Sequence, residues 1–170
     1  LSGHGGSLHV AALREAAEAL VATLDDTKMA ALSIYETLGN GARDIVETSN
    51  DSHAGEAETS LVMFLAPRLV KGRAKEEYPR FPRPYILKEK VRYWKGAVWG
   101  NPEKATREKG EALFNLMVDK VELLVKGFDK VSTDGDGGAL YVAPQPVWTG
   151  KEVVSERTTD ARNGSVMELT

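Results

Sequence analysis

The chain has 170 residues, 42% hydrophobic and 28% charged, with 22 Lys and Arg against 25 Asp and Glu for a net charge of −3. That suits about one domain of ordinary globular composition, and it argues against nucleic acid or an anionic membrane surface as partner. Cysteine is absent, which excludes disulfides, thiol nucleophiles and cysteine-held metals. No apolar run is long enough to span a bilayer and no secretory leader is visible, so a cytoplasmic location is the expectation.

The first element is a helix over residues 8–24. Leu13, Ala16, Ala17, Leu20, Val21 and Leu24 recur at helical spacing, while Arg14, Glu15 and Glu18 take the outer face. Ser7 is the expected N-cap. "MAALSIY" over 29–35 is short and apolar, and reads as a buried strand. "GNGARDIVE" reads as a loop or short helix, and "AGEAETSLVMFLAPRLV" as a helix with Ala57, Leu61, Phe64 and Leu65 on one face, ending near Pro67. Residues 71–100 carry Pro79, Pro82 and Pro84 among aromatics and cations and should be mostly irregular. Asn101-Pro102 opens a helix expected to run to residue 126, with Leu113, Leu116, Met117, Val121 and Leu124 on one face and Gly127 as its stop.

From Phe128 onward the pattern becomes polar and rich in Gly, Ser and Thr, which predicts a loosely ordered tail over 128–170 with at most a short strand around 139–143. "DGDGG" at 134–138 reads as a turn, because the twelfth position of a calcium loop would need a glutamate and Gln145 stands there. Helices separated by a strand predict an α/β domain.

Two small-residue boxes carry the chemistry. In "SGHGGS", His4 stands among Gly3, Gly5 and Gly6 at the mouth of the first helix, where strand ends and helix starts meet in α/β sheets. Its glycines permit a tight turn and close ligand approach; a plain flexible loop is the bland alternative. His9, just inside the helix, is read as incidental. In "DSHAGEAETS", His53 and Glu56 are three apart and share a helix face. The acids there could simply favour a helix start, with Asp51 or Ser52 as cap, but that does not account for a histidine between small residues.

The two boxes together resemble the creatininase (creatinine amidohydrolase) family. "SGHGGS" resembles the family's Asn-Gly-His-Gly-Gly-Asn box, with Ser2 and Ser7 in place of the asparagines. "HAGEAETSLVMFLAPRLV" resembles its His-Ala-Gly-Glu-x-Glu-Thr-Ser segment. "WGNPEKATREKGEALFNLMVDKVELLV" is similar to its C-terminal helix, with Ala105, Thr106, Lys109 and Gly110 as the core. The resemblance covers residues 1–127 and implies the C-terminal part of a three-layer α/β domain with a mostly parallel sheet, its N-terminal half missing. The family's Glu-x-His and following Asp occur nowhere in the 170 residues, so the chain is expected to begin mid-domain, at an active-site loop.

What the resemblance implies for function is a metal-dependent amidohydrolase that cleaves a C–N amide bond with metal-activated water. The cation would be divalent, zinc first and manganese or iron next, and mixed imidazole and carboxylate ligands suit such ions. His4 is then a metal ligand and His53 the group that passes a proton to the leaving nitrogen. Family members with Gly-His-Tyr-Glu-Asn carry a ligand glutamate where this chain has Gly6; Glu56 is the expected replacement. Gly5 and Gly6 would let substrate approach, and Glu58 and Ser2 would support the ligands from behind. Creatinine-hydrolysing members carry a tryptophan four residues before the catalytic histidine. Ser49 stands there, so another small-molecule amide is expected.

The fragment by itself is expected to be inactive, and the full-length protein a homo-oligomer. A deformylase of a formylaminopyrimidine and a peptidase are the alternatives within the family; a truncated, non-catalytic relic is the alternative outside enzymology. Tyr93, Trp94 and Trp99 beside Lys90, Arg92 and Lys95 are expected to pack a loop or a subunit contact.

Overall fold

The computed structural model describes residues 1–72, 74–130, 157–159 and 166–168. They divide into two compact units, one formed by residues 1–39 with 117–170 and the other by 40–116.

In the first unit, α1 spans Ser7–Val21. The expected cap moves by one residue: Gly6, with extended φ −63° and ψ 128°, is the N-cap, and Ser7 is already helical. Val10 is buried, Leu13 and Ala17 are half-buried, and Leu20, Val21 and Leu24 are exposed among the described residues. The segment expected as a buried strand over 29–35 is extended only as far as Ser33, which forms a single parallel bridge with Ser2. That bridge is held by Ser2 N donating to Leu32 O and Ile34 N donating to Ser2 O, at 3.0 and 2.8 Å. The chain then turns into a 3-10 helix, Ile34–Thr37. Capping chemistry overrides the apolar run here: the buried Ser33 and Glu36 form a reciprocal capping box, and Glu36 also pairs with Arg14.

In the second unit a 3-10 turn, Gly39–Asp44, begins at the boundary and α2 spans Glu56–Leu65. Residues 66–100 are irregular apart from the short turns Pro67–Leu69 and Lys90–Arg92 and a lone antiparallel bridge, Glu77↔Gly100. The helix expected from Asn101 begins in two pieces. Asn101 caps the 3-10 turn Pro102–Lys104, the backbone extends at Ala105, and α3 then spans Arg107–Gly127. Asn101 and Pro102 therefore start a turn, and Thr106, whose Oγ1 accepts from Lys109 N at 3.2 Å, sets up the long helix.

Gly110 is where α2 and α3 meet: a Cβ there would lie 1.9 Å from the Ser60 carbonyl oxygen. The glycine thus lets two helix backbones approach without a side chain between them. Buried Leu61, Ala105 and Leu113 and the Phe64–Phe114 ring pair fill the space around that approach. The expected stripe of α3 is the inward one, with Leu113 and Met117 buried and Leu116, Val121 and Leu124 half-buried.

Two short strands, β1 (Arg157–Thr159) and β2 (Val166–Glu168), pair antiparallel. Among the described residues, the parallel pairing expected of an α/β sheet is represented by the Ser2–Ser33 bridge alone. The expected strand at 139–143, the turn at 134–138 and most of the expected tail lie outside the described residues. No described helix is long and apolar enough to cross a membrane.

Candidate active site

The first box lies in the first unit and is lightly held. Ser2 is pinned through its backbone to residues 32 and 34. Its hydroxyl accepts from His4 N at 3.1 Å and lies 2.8 Å from His9 Nε2. The His4 and His9 rings meet edge to face at 5.1 Å, so His9, read as incidental, is a neighbour of the site. The signal was its place one helical turn inside the helix, on the side of the box.

No described residue bonds either ring nitrogen of His4, and the side chain is exposed. Gly6 makes this conformation possible, because a Cβ there would lie 2.6 Å from His4 Nε2. At Gly5 a Cβ would lie 3.1 Å from the Tyr35 ring.

The second box lies in the second unit and is bound on every side. Asp51 accepts from Glu56 N and Ala57 N at 2.7 and 2.8 Å, capping α2 from five residues upstream. Two glycines leave room for that carboxylate: a Cβ at Gly55 or at Gly100 would lie about 2 Å from Asp51 Oδ1. Burial pushes the Asp51 carboxyl above its ordinary range, against the pull of the two backbone donors. Glu58 accepts from Ala54 N at 2.6 Å and so closes the turn after His53; Ala54 itself sits at φ 48°.

His53 is exposed, yet its ring is fixed. Nδ1 lies 2.9 Å from the Ala97 carbonyl oxygen, the Trp94 ring stands edge-on at 5.1 Å, and Trp99 N donates to the His53 carbonyl at 2.7 Å. Through Trp94, His53 borders an aromatic cluster of Phe81, Tyr93, Trp94 and Trp99. The tryptophans thus pack a loop, and that loop holds the histidine.

Glu56 is completely buried and its carboxylate is occupied. Oε1 accepts from Glu47 N at 3.1 Å and from Lys109 Nζ at 2.6 Å; Oε2 accepts from Thr48 N at 2.7 Å and from Thr48 Oγ1 at 2.5 Å. Lys109 also donates to Glu47 and to the Lys104 carbonyl. Burial pushes the Glu56 carboxyl up, but Lys109 and the three other donors outweigh it and hold it below its ordinary value. Lys109 is held above its own ordinary value because Glu47 and Glu56 outweigh its desolvation.

A carboxylate has about four acceptor positions, and Glu56 uses four. It would bind a cation only after releasing Lys109 or Thr48. His4, with both ring nitrogens unbonded among the described residues, suits a divalent cation directly. No group of three or more metal-donor side chains is gathered among the described residues.

The model of the creatininase (creatinine amidohydrolase) family matches residues 1–125. The chain belongs to the creatininase family. Among solved structures it is similar to a protein from Bacteroides fragilis NCTC 9343 assigned as a creatinine amidohydrolase, at 30% identity and TM-score 0.55, over 76% of this chain and 53% of that one. It is also similar to a creatininase variant of Zn-Zn type, at 26% identity and TM-score 0.54 over 69% and 48% of the two chains. A creatininase variant complexed with creatine matches at 25% identity and TM-score 0.53, over 69% and 49%. The chain thus spans about half the length of the solved relatives it matches. No curated protein matches it.

The creatininase-like fold follows from these matches, and the zinc form of a relative supports a divalent metal for the family.

Proposed function

We propose that this chain contributes to a metal-dependent amidohydrolase that cleaves a C–N bond of a small amide, with His53 as the group that moves the proton. The observation that carries the reading is the second box: a family-matching histidine, exposed on one side, with its ring orientation imposed by a backbone carbonyl and an aromatic wall. An imidazole that is held still suits general acid–base work. Asp51 and Glu58 keep the turn carrying it in place through the backbone.

His4 is the metal ligand we propose from the first box, with Ser2 steadying its backbone. Gly5 and Gly6 leave room for substrate beside it. Glu56 is the carboxylate candidate in the second unit; its occupied oxygens make it the weaker of the two ligands. When bound, a zinc or manganese ion would supply an activated water and polarise the amide carbonyl. The mostly parallel sheet, the cytoplasmic location, the oligomer and the substrate, an amide other than creatinine because Ser49 leaves that wall without an aromatic side chain, belong to the same proposal. The occupied state of Glu56 favours one second reading, a chain that binds metal weakly and turns over nothing.

Zinc and manganese titration of the 170-residue chain, followed by a panel of cyclic and formyl amides against the full-length protein, tests both; no turnover by the metal-loaded full-length protein favours the second. Under the first reading His4→Ala loses more metal affinity than Glu56→Gln, and in any metal-loaded form with turnover His53→Gln keeps the metal while lowering the rate about 10²–10⁴-fold. Equal metal binding by wild type and His4→Ala would sink the ligand assignment.

A further inference from the structure

Across the described residues, the feature that the function does not yet absorb is the turn over residues 94–98. It has no regular secondary structure, and Ala97 adopts φ 54°, a left-handed conformation unfavourable to a residue with a Cβ. Such a conformation persists only where the surroundings impose it, and here they can be named. Trp94 Nε1 donates to the Val98 carbonyl at 2.6 Å, closing the turn on itself. The Glu77 carboxylate accepts from Lys95 N at 3.0 Å and from Gly96 N at 2.9 Å, one oxygen to each amide.

Glu77 is itself registered by a two-way backbone bridge to Gly100, at 3.2 and 3.0 Å. Gly96 admits the carboxylate, since a Cβ there would lie 2.7 Å from Glu77 Oε2. The product of all these bonds is the direction of one carbonyl, that of Ala97, which meets His53 Nδ1.

A carbonyl oxygen only accepts, so the nitrogen facing it must carry the proton. In the neutral imidazole the lone pair is then on Nε2, which no described residue engages. We propose that Glu77 and the turn it holds are a positioning device for His53: they select the Nδ1–H tautomer and leave Nε2 as the nitrogen that exchanges a proton. This rests on the reading of His53 as the proton-transfer group, and gives it a backbone carbonyl as its orienting partner. Glu77 and Trp94 act through the turn and are positioning residues.

The test is the tautomer itself. Long-range proton–nitrogen correlation spectra of the uniformly labelled 170-residue chain, at about pH 8 where histidine is mostly neutral, assign His53 by its loss in His53→Gln. The expected wild-type pattern is Nδ1–H. Glu77→Ala, which frees both amides, is expected to move the population to a majority of Nε2–H. Glu77→Gln, which keeps one acceptor oxygen, should fall between, and Trp94→Phe, which keeps the ring but loses the N–H, should shift in the same direction. Circular dichroism checks that each variant is folded. Should Glu77→Ala fail to fold, Trp94→Phe and Gly96→Ala carry the test.

A wild-type Nε2–H pattern, or an unchanged Nδ1–H pattern in folded Glu77→Ala, overturns the proposal. The proton-transfer reading fails separately: an Nδ1–H pattern that responds to Glu77, in a metal-loaded enzyme whose rate ignores His53→Gln, would support the positioning device and remove its assigned use.

Discussion

His4 and His53 each stand among small residues just before a helix, yet they are held very differently. His53 has its ring bonded to Ala97, its carbonyl bonded to Trp99, an aromatic wall at its edge and a turn closed by Glu58 and Asp51. His4 has one backbone bond to Ser2 and an edge contact with His9. The buried carboxylate Glu56 stands behind the second box; behind the first is the lone Ser2–Ser33 bridge. The difference suits the two proposed roles. A proton-transfer group must be oriented before the substrate arrives, whereas a ligand can be oriented by the metal it binds.

The comparison breaks first at Lys109. Lys109→Met should leave Glu56 buried without its cation and cost about 3–5 kcal/mol in denaturant unfolding, the range for breaking one side of a buried pair. A loss below 1 kcal/mol would mean that Glu56 is not the post on which the second box stands. Next is Gly110→Ala. A methyl aimed at the Ser60 carbonyl must push α2 and α3 apart, and a loss of about 3 kcal/mol, the upper end for overpacked cores, is expected in the same experiment.

The acid limb of stability sharpens the comparison with its sign. Glu56 is held below its unfolded value, so its contribution is present above about pH 4.5 and is lost as pH falls through the folded pKa. Asp51 is shifted up and works in the opposite sense: its protonated form is favoured by the fold, so it lessens the loss as pH falls. Urea unfolding from pH 7 to pH 3 should therefore show a shallower acid slope in Glu56→Gln than in wild type, and a steeper one in Asp51→Asn. At neutral pH Asp51→Ala should cost about 1 kcal/mol, the usual worth of a helix cap. Smallest is His4→Gln, an exposed substitution expected to stay within about 0.5 kcal/mol. If it destabilised the chain as much as Asp51→Ala, the first box would be structural and the contrast would disappear.

Much of this molecule was legible from its residues, because periodicity and motif chemistry are local. The stripe on α3, the stop near Pro67, the proline-broken stretch before Gly100 and the family itself all followed from spacing and motif; on α1 the helix formed, but of its expected stripe only Leu13 and Ala17 are half-buried, and the buried residue is Val10. Local reading failed where one side chain outweighed the pattern. "MAALSIY" is apolar enough for a strand, but Ser33 and Glu36 cap a turn within it. Asn101-Pro102 looks like the start of a long helix, but caps only a 3-10 turn before Ala105.

What the sequence by itself determined is which residues can do chemistry: two histidine boxes with their glycines, and a run of acids beside the second. Only the tertiary structure decided what each acid does, because a carboxylate's role depends on who reaches its oxygens. Glu56 stands three residues after His53, but α2 begins only at Glu56, so the expected shared helix face does not form; Lys109, from 53 positions further along, meets Glu56 and fills its last acceptor position. Glu77 is one of three acids in the irregular stretch over 71–100, and nothing near it in sequence distinguishes it. The fold brings the amides of Lys95 and Gly96 onto its carboxylate, and through that turn it aims the carbonyl that orients His53.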